Sequence, residues 1–222
     1  MAYTNSPLVT YTRISPNKTS NRKHKIDTIT IHCIVAQWTA KQGCDYFATT
    51  KNQCSANYIV GKDGSIGLSV EEKDRSWCSS NADNDHRAIT IEVASDTKHP
   101  YAVTDEAYKA LIELLVDICK RNNIKELKWK ADKSLVGQVD KQNMTVHRWF
   151  ARKECPGEYL YERLGDIAAK VNAILNQNDE KVETAGKVLY RVQVGAYSKK
   201  TNAETMQKRL KQAGFDAIIV EV

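Results

Sequence analysis

Five residues spread along the chain have the types that amide hydrolysis needs: His32, Glu92, His147, Lys153 and Cys155. A catalytic zinc ion takes three protein ligands from histidine, cysteine or acid and keeps a fourth position open for water. His32, His147 and Cys155 would supply two imidazoles and one thiolate to a single zinc ion per chain. Zinc brings the ionisation of water close to neutral pH. A neighbouring carboxylate can take a proton during attack and return it to the departing amine, and Glu92 fits that role. The tetrahedral intermediate needs a positive donor for its oxyanion, and Lys153, just ahead of Cys155, is placed to provide it. Taken singly, none of these residues carries a claim. A histidine ending a strand is more often structural than a ligand, and a glutamate on a polar strand face is usually just solvated. Cys155, followed by Pro156-Gly157, reads equally well as a quiet residue ahead of a helix.

The elements that must position them share a pattern. In Thr28-Ile-Thr-Ile-His32, the isoleucines face one way and Thr28, Thr30 and His32 the other. Ala88-Ile-Thr-Ile-Glu-Val93 sets Ile89, Ile91 and Val93 against Thr90 and Glu92. Met144-Thr-Val-His147 repeats the arrangement. In one sheet, the apolar faces would meet helices while His32, Glu92 and His147 gather on the other side. Two helices are clear. One runs from Asp105 to Asn122 with Thr104 as N-cap and Leu111, Ile112, Leu115 and Ile118 in its stripe. The second runs from about Gly157 to Leu175, with Leu160, Leu164, Ile167, Val171 and Leu175 on one side. Asp63-Gly64 reads as a hairpin turn between 57–60 and 66–68.

The 222 residues are 41% hydrophobic and 27% charged, the composition of a globular protein with ample core. Net charge is formally +6, which reads either as a soluble surface with a mild Lys bias or as attraction to a polyanion such as a bacterial wall, and charge alone does not choose a partner. No basic stripe interleaved with aromatics appears, so nucleic acid is set aside. No stretch approaches the ~20 apolar residues of a membrane span. The first residues hold no apolar run of signal-peptide type, from which synthesis and retention in the cytoplasm, with reduced thiols, are expected. The six cysteines show no CxxC pairing.

Several segments together resemble the type-2 N-acetylmuramoyl-L-alanine amidases, whose fold is shared with peptidoglycan recognition proteins and many phage endolysins. They are Ile29-Thr-Ile-His32, Ser55-Ala-Asn-Tyr-Ile-Val-Gly-Lys-Asp-Gly64, Arg75-Ser-Trp77, Arg87-Ala-Ile-Thr-Ile-Glu92, and Thr145-Val-His-Arg-Trp149 leading to Lys153-Glu-Cys-Pro-Gly157. The resemblance implies an α/β (α+β) fold with a mixed central β-sheet flanked by helices. It places the zinc ligands on His32, His147 and Cys155, the catalytic acid on Glu92 and the oxyanion-stabilising lysine on Lys153. Relatives carrying alanine at the position of Ala56 rely on the glutamate alone. Many have histidine where this chain has Cys78, which puts a substrate contact there in doubt. Trp77, Asn57 and Arg148 are expected along the substrate groove.

Residues 1–175 are therefore expected to form the catalytic domain, and the polar stretch 176–187 a linker. Residues 188–222 read as β-α-β, with a strand over Tyr190–Ser198, a helix over Asn202–Gly214 capped by Gly214, and a strand over Ala217–Val222. The Val-Gln-Val-Gly-Ala-Tyr-Ser segment resembles the first half of a SPOR repeat, which implies glycan binding. A single half would bury little, so it is expected either to pair with the same half of a second chain, as a homodimer, or to be cut from a longer protein. The function expected is zinc-dependent hydrolysis of the amide between N-acetylmuramic acid and L-alanine in peptidoglycan. It would be carried out as a phage or prophage endolysin that reaches the wall after release, or as a host autolysin. Two other classes stay open at this point: a cysteine peptidase using Cys155 with His147, and a non-catalytic wall-binding module.

Overall fold

A computed structural model describes residues 3–186 and 192–220, with side chains omitted for 178–186. The chain divides into two compact units, Met1–Glu180 and Lys181–Val222.

The first unit is built on a six-stranded sheet ordered β1-β5-β4-β7-β3-β8. Its strands are β1 (Tyr11–Thr12), β3 (Thr28–Cys33), β4 (Tyr58–Val60), β5 (Ile66–Leu68), β7 (Ala88–Val93) and β8 (Met144–Val146); β2 (Lys18–Thr19) and β6 (Arg75–Ser76) form a separate antiparallel pair. β4 and β5 are the antiparallel hairpin that Asp63-Gly64 joins, and the other pairings in the large sheet are parallel. β3 lies between β7 and β8, which brings the three patterned strands side by side. Their register sets Thr30 beside Thr90 and Thr145, and His32 beside Glu92.

The alternating pattern has a different cause from an open polar face. All six residues of β3 are buried. Ile29, Ile31, Ile89, Ile91 and Val146 join one core with Leu111, Leu115 and Ile118 of α3 (Asp105–Arg121) and Leu160, Leu164, Ile167 and Val171 of α4 (Gly157–Gly186). On the other face a hydrogen-bonded lattice covers the threonines. Thr30 Oγ1 lies 2.8 Å from Thr145 Oγ1, and Asn84 of α2 (Ala82–Arg87) donates to Thr30 and accepts from Thr145. Buried hydroxyls need such partners, and here one asparagine serves two strands. Further along that face, α1 (Ala40–Phe47), opened by a Thr39/Gln42 capping box, packs Ala40, Cys44 and Phe47 on Ile59.

α3 starts on Thr104, whose hydroxyl accepts from the Ala107 N–H, as its sequence dictates. α4 begins at Gly157, whose φ of +79° and 2.9 Å approach of a would-be Cβ to Tyr101 leave room for glycine alone. The helix expected to stop near Leu175 continues to Gly186. Nothing between 176 and 185 is glycine or proline, so polarity without a breaker extends the helix rather than ending it.

In the second unit, α5 (Lys200–Gln212) ends on Gly214 at φ +86°, with Phe215 N–H bonded to Leu210 O and Gly214 N–H to Lys211 O, a Schellman cap. The strands expected on either side are absent among the described residues 192–198 and 215–220, while 190–191 and 221–222 lie outside the description. α5 buries no residue, and Val192, Val194, Phe215 and Ile218 are exposed. Two short apolar segments with neither a paired neighbour nor a core cannot hold a sheet. These residues accordingly offer no formed strand edge through which two copies would pair.

Candidate metal centre

Three parts of the fold, two of them far apart in the chain, deliver the first cluster. His32 ends the inner strand β3, His147 opens a 3₁₀ turn directly after β8, and Cys155 precedes α4. One donor atom from each of His32, His147 and Cys155 lies within 4.8 Å of the other two. His32 Nδ1 is 3.3 Å from Cys155 Sγ, and the two imidazoles meet edge to face with centroids 5.1 Å apart. Two nitrogens and a sulfur at such separations suit tetrahedral zinc, whose bonds run about 2.0–2.3 Å.

The electrostatics agree with a site shaped for a cation. Burial, with His147 second, holds the His32 imidazole neutral down to about 3. Burial and the charge of Lys153 lower His147 as well, so Lys153 acts on this site while itself exposed. The hydrogen bond that the Cys155 thiol donates to Cys33, then burial and Glu92, push that thiol well above its ordinary value. Neutral imidazoles are what a metal requires, and the half-buried thiol carries a proton that binding would release. Glu92 Oε1 stands 4.0 Å from His32 Nδ1. Burial first, then Cys33, raises the Glu92 carboxyl to about 8, so with His32 it forms a neutral pair rather than a salt bridge. Its Oε2 is buried without a hydrogen-bond partner among the described residues, as is His32 Nε2. Orphaned buried polar atoms at one place call for a ligand or solvent.

A cysteine-nucleophile arrangement is poorly served. Such a thiol needs a lowered pKa and an imidazole free to act as base. Cys155 is raised, and His147 Nε2 is engaged by Ser80 Oγ at 3.0 Å.

The expected groove residues divide. Trp77 is 37% exposed, its indole N–H donating to Thr19 Oγ1 at 3.0 Å, so one side of the ring remains open. Asn57 is fully buried. Its amide nitrogen donates to Val70 O and its amide oxygen accepts from Thr90 N–H, which leaves nothing for a substrate and corrects the groove assignment. Arg148 is likewise committed elsewhere. It donates to Glu154 O, lies 3.4 Å from Glu158 and stacks over Tyr161, while its backbone N–H bonds Cys155 O. It clamps the loop that carries Cys155.

Sequence reasoning missed the surroundings. Cys78 is buried, 3.8 Å from Glu92 Oε1, and together with His32 and Glu92 makes a second set of close donors. Tyr101 hydroxyl donates to Glu154 beside Cys155. Ser80 reaches His147 from the β6–α2 loop, with Asn84 and Asp85 bonding the strand threonines and the loop behind it, and only the unusual run of Asn and Asp at 81–85 could have drawn attention to the segment.

The structure is a mixed sheet with helices on both faces, and a cluster of two imidazoles and one thiol forms where inner strand β3, edge strand β8 and the loop before α4 meet. Comparison with known proteins then gives the family. The sequence model described as N-acetylmuramoyl-L-alanine amidase matches residues 22–158, and a SPOR domain model matches residues 162–221. The chain belongs to the N-acetylmuramoyl-L-alanine amidase family. No curated protein sequence matches the chain. Among solved structures, it is similar to PlyL at 17% identity and TM-score 0.54, over 72% of this chain and 95% of that one. The endolysin N-acetylmuramoyl-L-alanine amidase LysCS from Clostridium intestinale matches at 17% identity and TM-score 0.53, over 76% and 97%. Staphylococcus aureus hydrolase AmiA, solved in complex with its ligand, matches at 14% and 0.53, over 74% and 83%. At these identities the likeness is one of fold. The SPOR match begins inside α4, although Leu164, Ile167, Val171 and Leu175 belong to the core of the first unit.

Proposed function

We propose that the chain is a zinc-dependent amidase that hydrolyses the bond between N-acetylmuramic acid and L-alanine in peptidoglycan, with the role of an endolysin. Residues 1–175 would be catalytic, and the segment from 188 onward would hold the enzyme on glycan. The observation that carries this reading is the meeting of His32, His147 and Cys155 donor atoms within 4.8 Å, beside a glutamate set next to His32 by strand register.

A zinc ion held by these three residues would supply Lewis acidity, acidify water toward neutral pH, and through its charge draw Glu92 toward its ionised form. Glu92 takes a proton as water oxygen bonds to the amide carbon. It returns that proton to the L-alanine nitrogen as the carbon–nitrogen bond breaks, leaving a free muramoyl carboxylate and a free amine. Lys153 offers its ammonium to the carbonyl oxygen as negative charge develops there. Trp77, 37% exposed, would offer its ring to sugar or peptide.

The test is digestion of purified walls. Free muramoyl carboxyl groups and new L-alanine amino termini should appear together and in equal number, and a chelator should abolish both. Release of reducing sugar ends or of interior peptide termini instead would overturn the bond assignment. Undiminished cleavage under chelator would overturn the metal assignment. Removing residues after 186 should leave cleavage of soluble fragments intact and reduce co-sedimentation with walls; unchanged sedimentation removes the wall-holding role.

A further inference from the structure

Ser80 sits in a left-handed backbone conformation, φ +61°, which non-glycine residues occupy at a cost. The surrounding loop holds it there. The Asp85 carboxylate, buried on α2, accepts the N–H of Cys78 at 3.0 Å and of Ser79 at 3.2 Å. Ser79 hydroxyl donates to Asn81 O at 3.3 Å, and Asn81 in turn caps α2 by accepting from Asn84 N–H. The loop is thus wound around Asp85, and its outcome is one exposed hydroxyl placed 3.0 Å from His147 Nε2. Glycine would adopt this backbone without strain, whereas serine adds the oxygen.

An imidazole that binds metal through one nitrogen needs its other nitrogen oriented by a hydrogen bond, which fixes both tautomer and ring rotation. His32 has no such partner, since its Nε2 is without one among the described residues. His147 has Ser80. We propose that Ser80 is a positioning residue: by accepting the Nε2–H of His147 it reserves Nδ1 as the nitrogen offered to the metal. This rests on the zinc reading above. Ser80 touches neither substrate nor the reacting atoms, and it acts only through His147.

The experiment compares the full chain with Ser80→Gly, Ser80→Ala and Asn123→Gly, the last relieving a similar left-handed residue (φ 55°) in the loop after α3. Zinc affinity is read by competition with a chromophoric chelator, folding by thermal melts of the metal-free protein, and the His147 tautomer by its ring ¹⁵N resonances. Ser80→Gly should melt no lower than wild type yet bind zinc about 10–100-fold more weakly, with the ring signal moving toward a mixture of tautomers. Ser80→Ala, which removes the hydroxyl and keeps Cβ, should weaken zinc equally. Asn123→Gly should change neither zinc affinity nor the ring signal. Zinc binding by Ser80→Gly as tight as wild type, or an equal loss in Asn123→Gly, overturns the proposal while leaving the zinc centre standing. Wild-type protein that binds no zinc overturns the centre itself.

Discussion

His32 Nδ1 and Cys155 Sγ lie 3.3 Å apart although 123 residues separate them in the chain. Strand β3 brings one, and the loop clamped by Arg148 and Tyr101 brings the other. Replacing the sulfur tests the relationship. Cys155→Ser should fold, because the site tolerates a smaller polar atom, and should bind zinc at least ~10-fold more weakly because a hydroxyl is a poorer ligand than a thiolate. Chelator competition measures it, and unchanged affinity removes Cys155 from the ligand set.

Glu92→Gln keeps the shape of the side chain and removes its capacity to carry a proton. Zinc content and melting should hold, while wall hydrolysis falls about 10²–10⁴-fold. A variant that retains more than a tenth of wild-type rate reassigns the base.

Lys153→Met should lower kcat by about 10²–10³-fold with little change in KM, because the ammonium serves charge that develops only in the transition state. A rise in KM at constant kcat would make Lys153 a ground-state substrate contact.

The metal-free protein should show opposing pH trends. Glu92 keeps its proton up to about 8, against an ordinary 4.5, so between those values the unfolded chain has lost a proton the folded chain retains and stability falls as pH rises. His32 refuses a proton down to about 3, against an ordinary 6.5, so stability there falls as pH drops. The two effects oppose each other from about 4.5 to 6.5, and above that range only the Glu92 loss remains. Chelated protein should therefore melt progressively lower from pH 6.5 to 8, and Glu92→Gln should flatten that slope. A midpoint that climbs over this range in chelated wild type contradicts the assignment.

Away from the centre, Glu72 is fully buried and accepts from Arg121 at 2.6 Å, from Tyr58 hydroxyl at 2.6 Å and from Asn122 at 3.0 Å. Glu72→Ala takes the buried acceptor from Tyr58 hydroxyl and Asn122 and leaves Arg121 with Asp117 and Thr4 O, and it should cost about 3–5 kcal/mol by denaturant titration. A loss below 1 kcal/mol would mean that water replaces the carboxylate.

The apolar-and-threonine alternation of the three strands, the capped helix at 105–121 and the cluster of metal-ligand types were all legible because period and residue chemistry are local properties. What covers the threonine face was not. Asn84, Ser80 and Asp85 act through a loop whose left-handed turn is imposed by a buried carboxylate, and no periodicity marks such a turn. The family resemblance put Asn57 along the groove, whereas the structure buries it and satisfies its amide from Val70 and Thr90, a tertiary property that residue type does not carry. The C-terminal strands failed for the converse reason. Alternation shows that a segment could pair, and pairing requires an edge to meet it.

Metal stoichiometry of purified chain tests the central claim most directly. Elemental analysis should find one zinc per chain in wild type and in Glu92→Gln, and close to none in a His32→Ala/His147→Ala double variant that still folds. Full zinc in that double variant, or none in active wild type, would contradict the account.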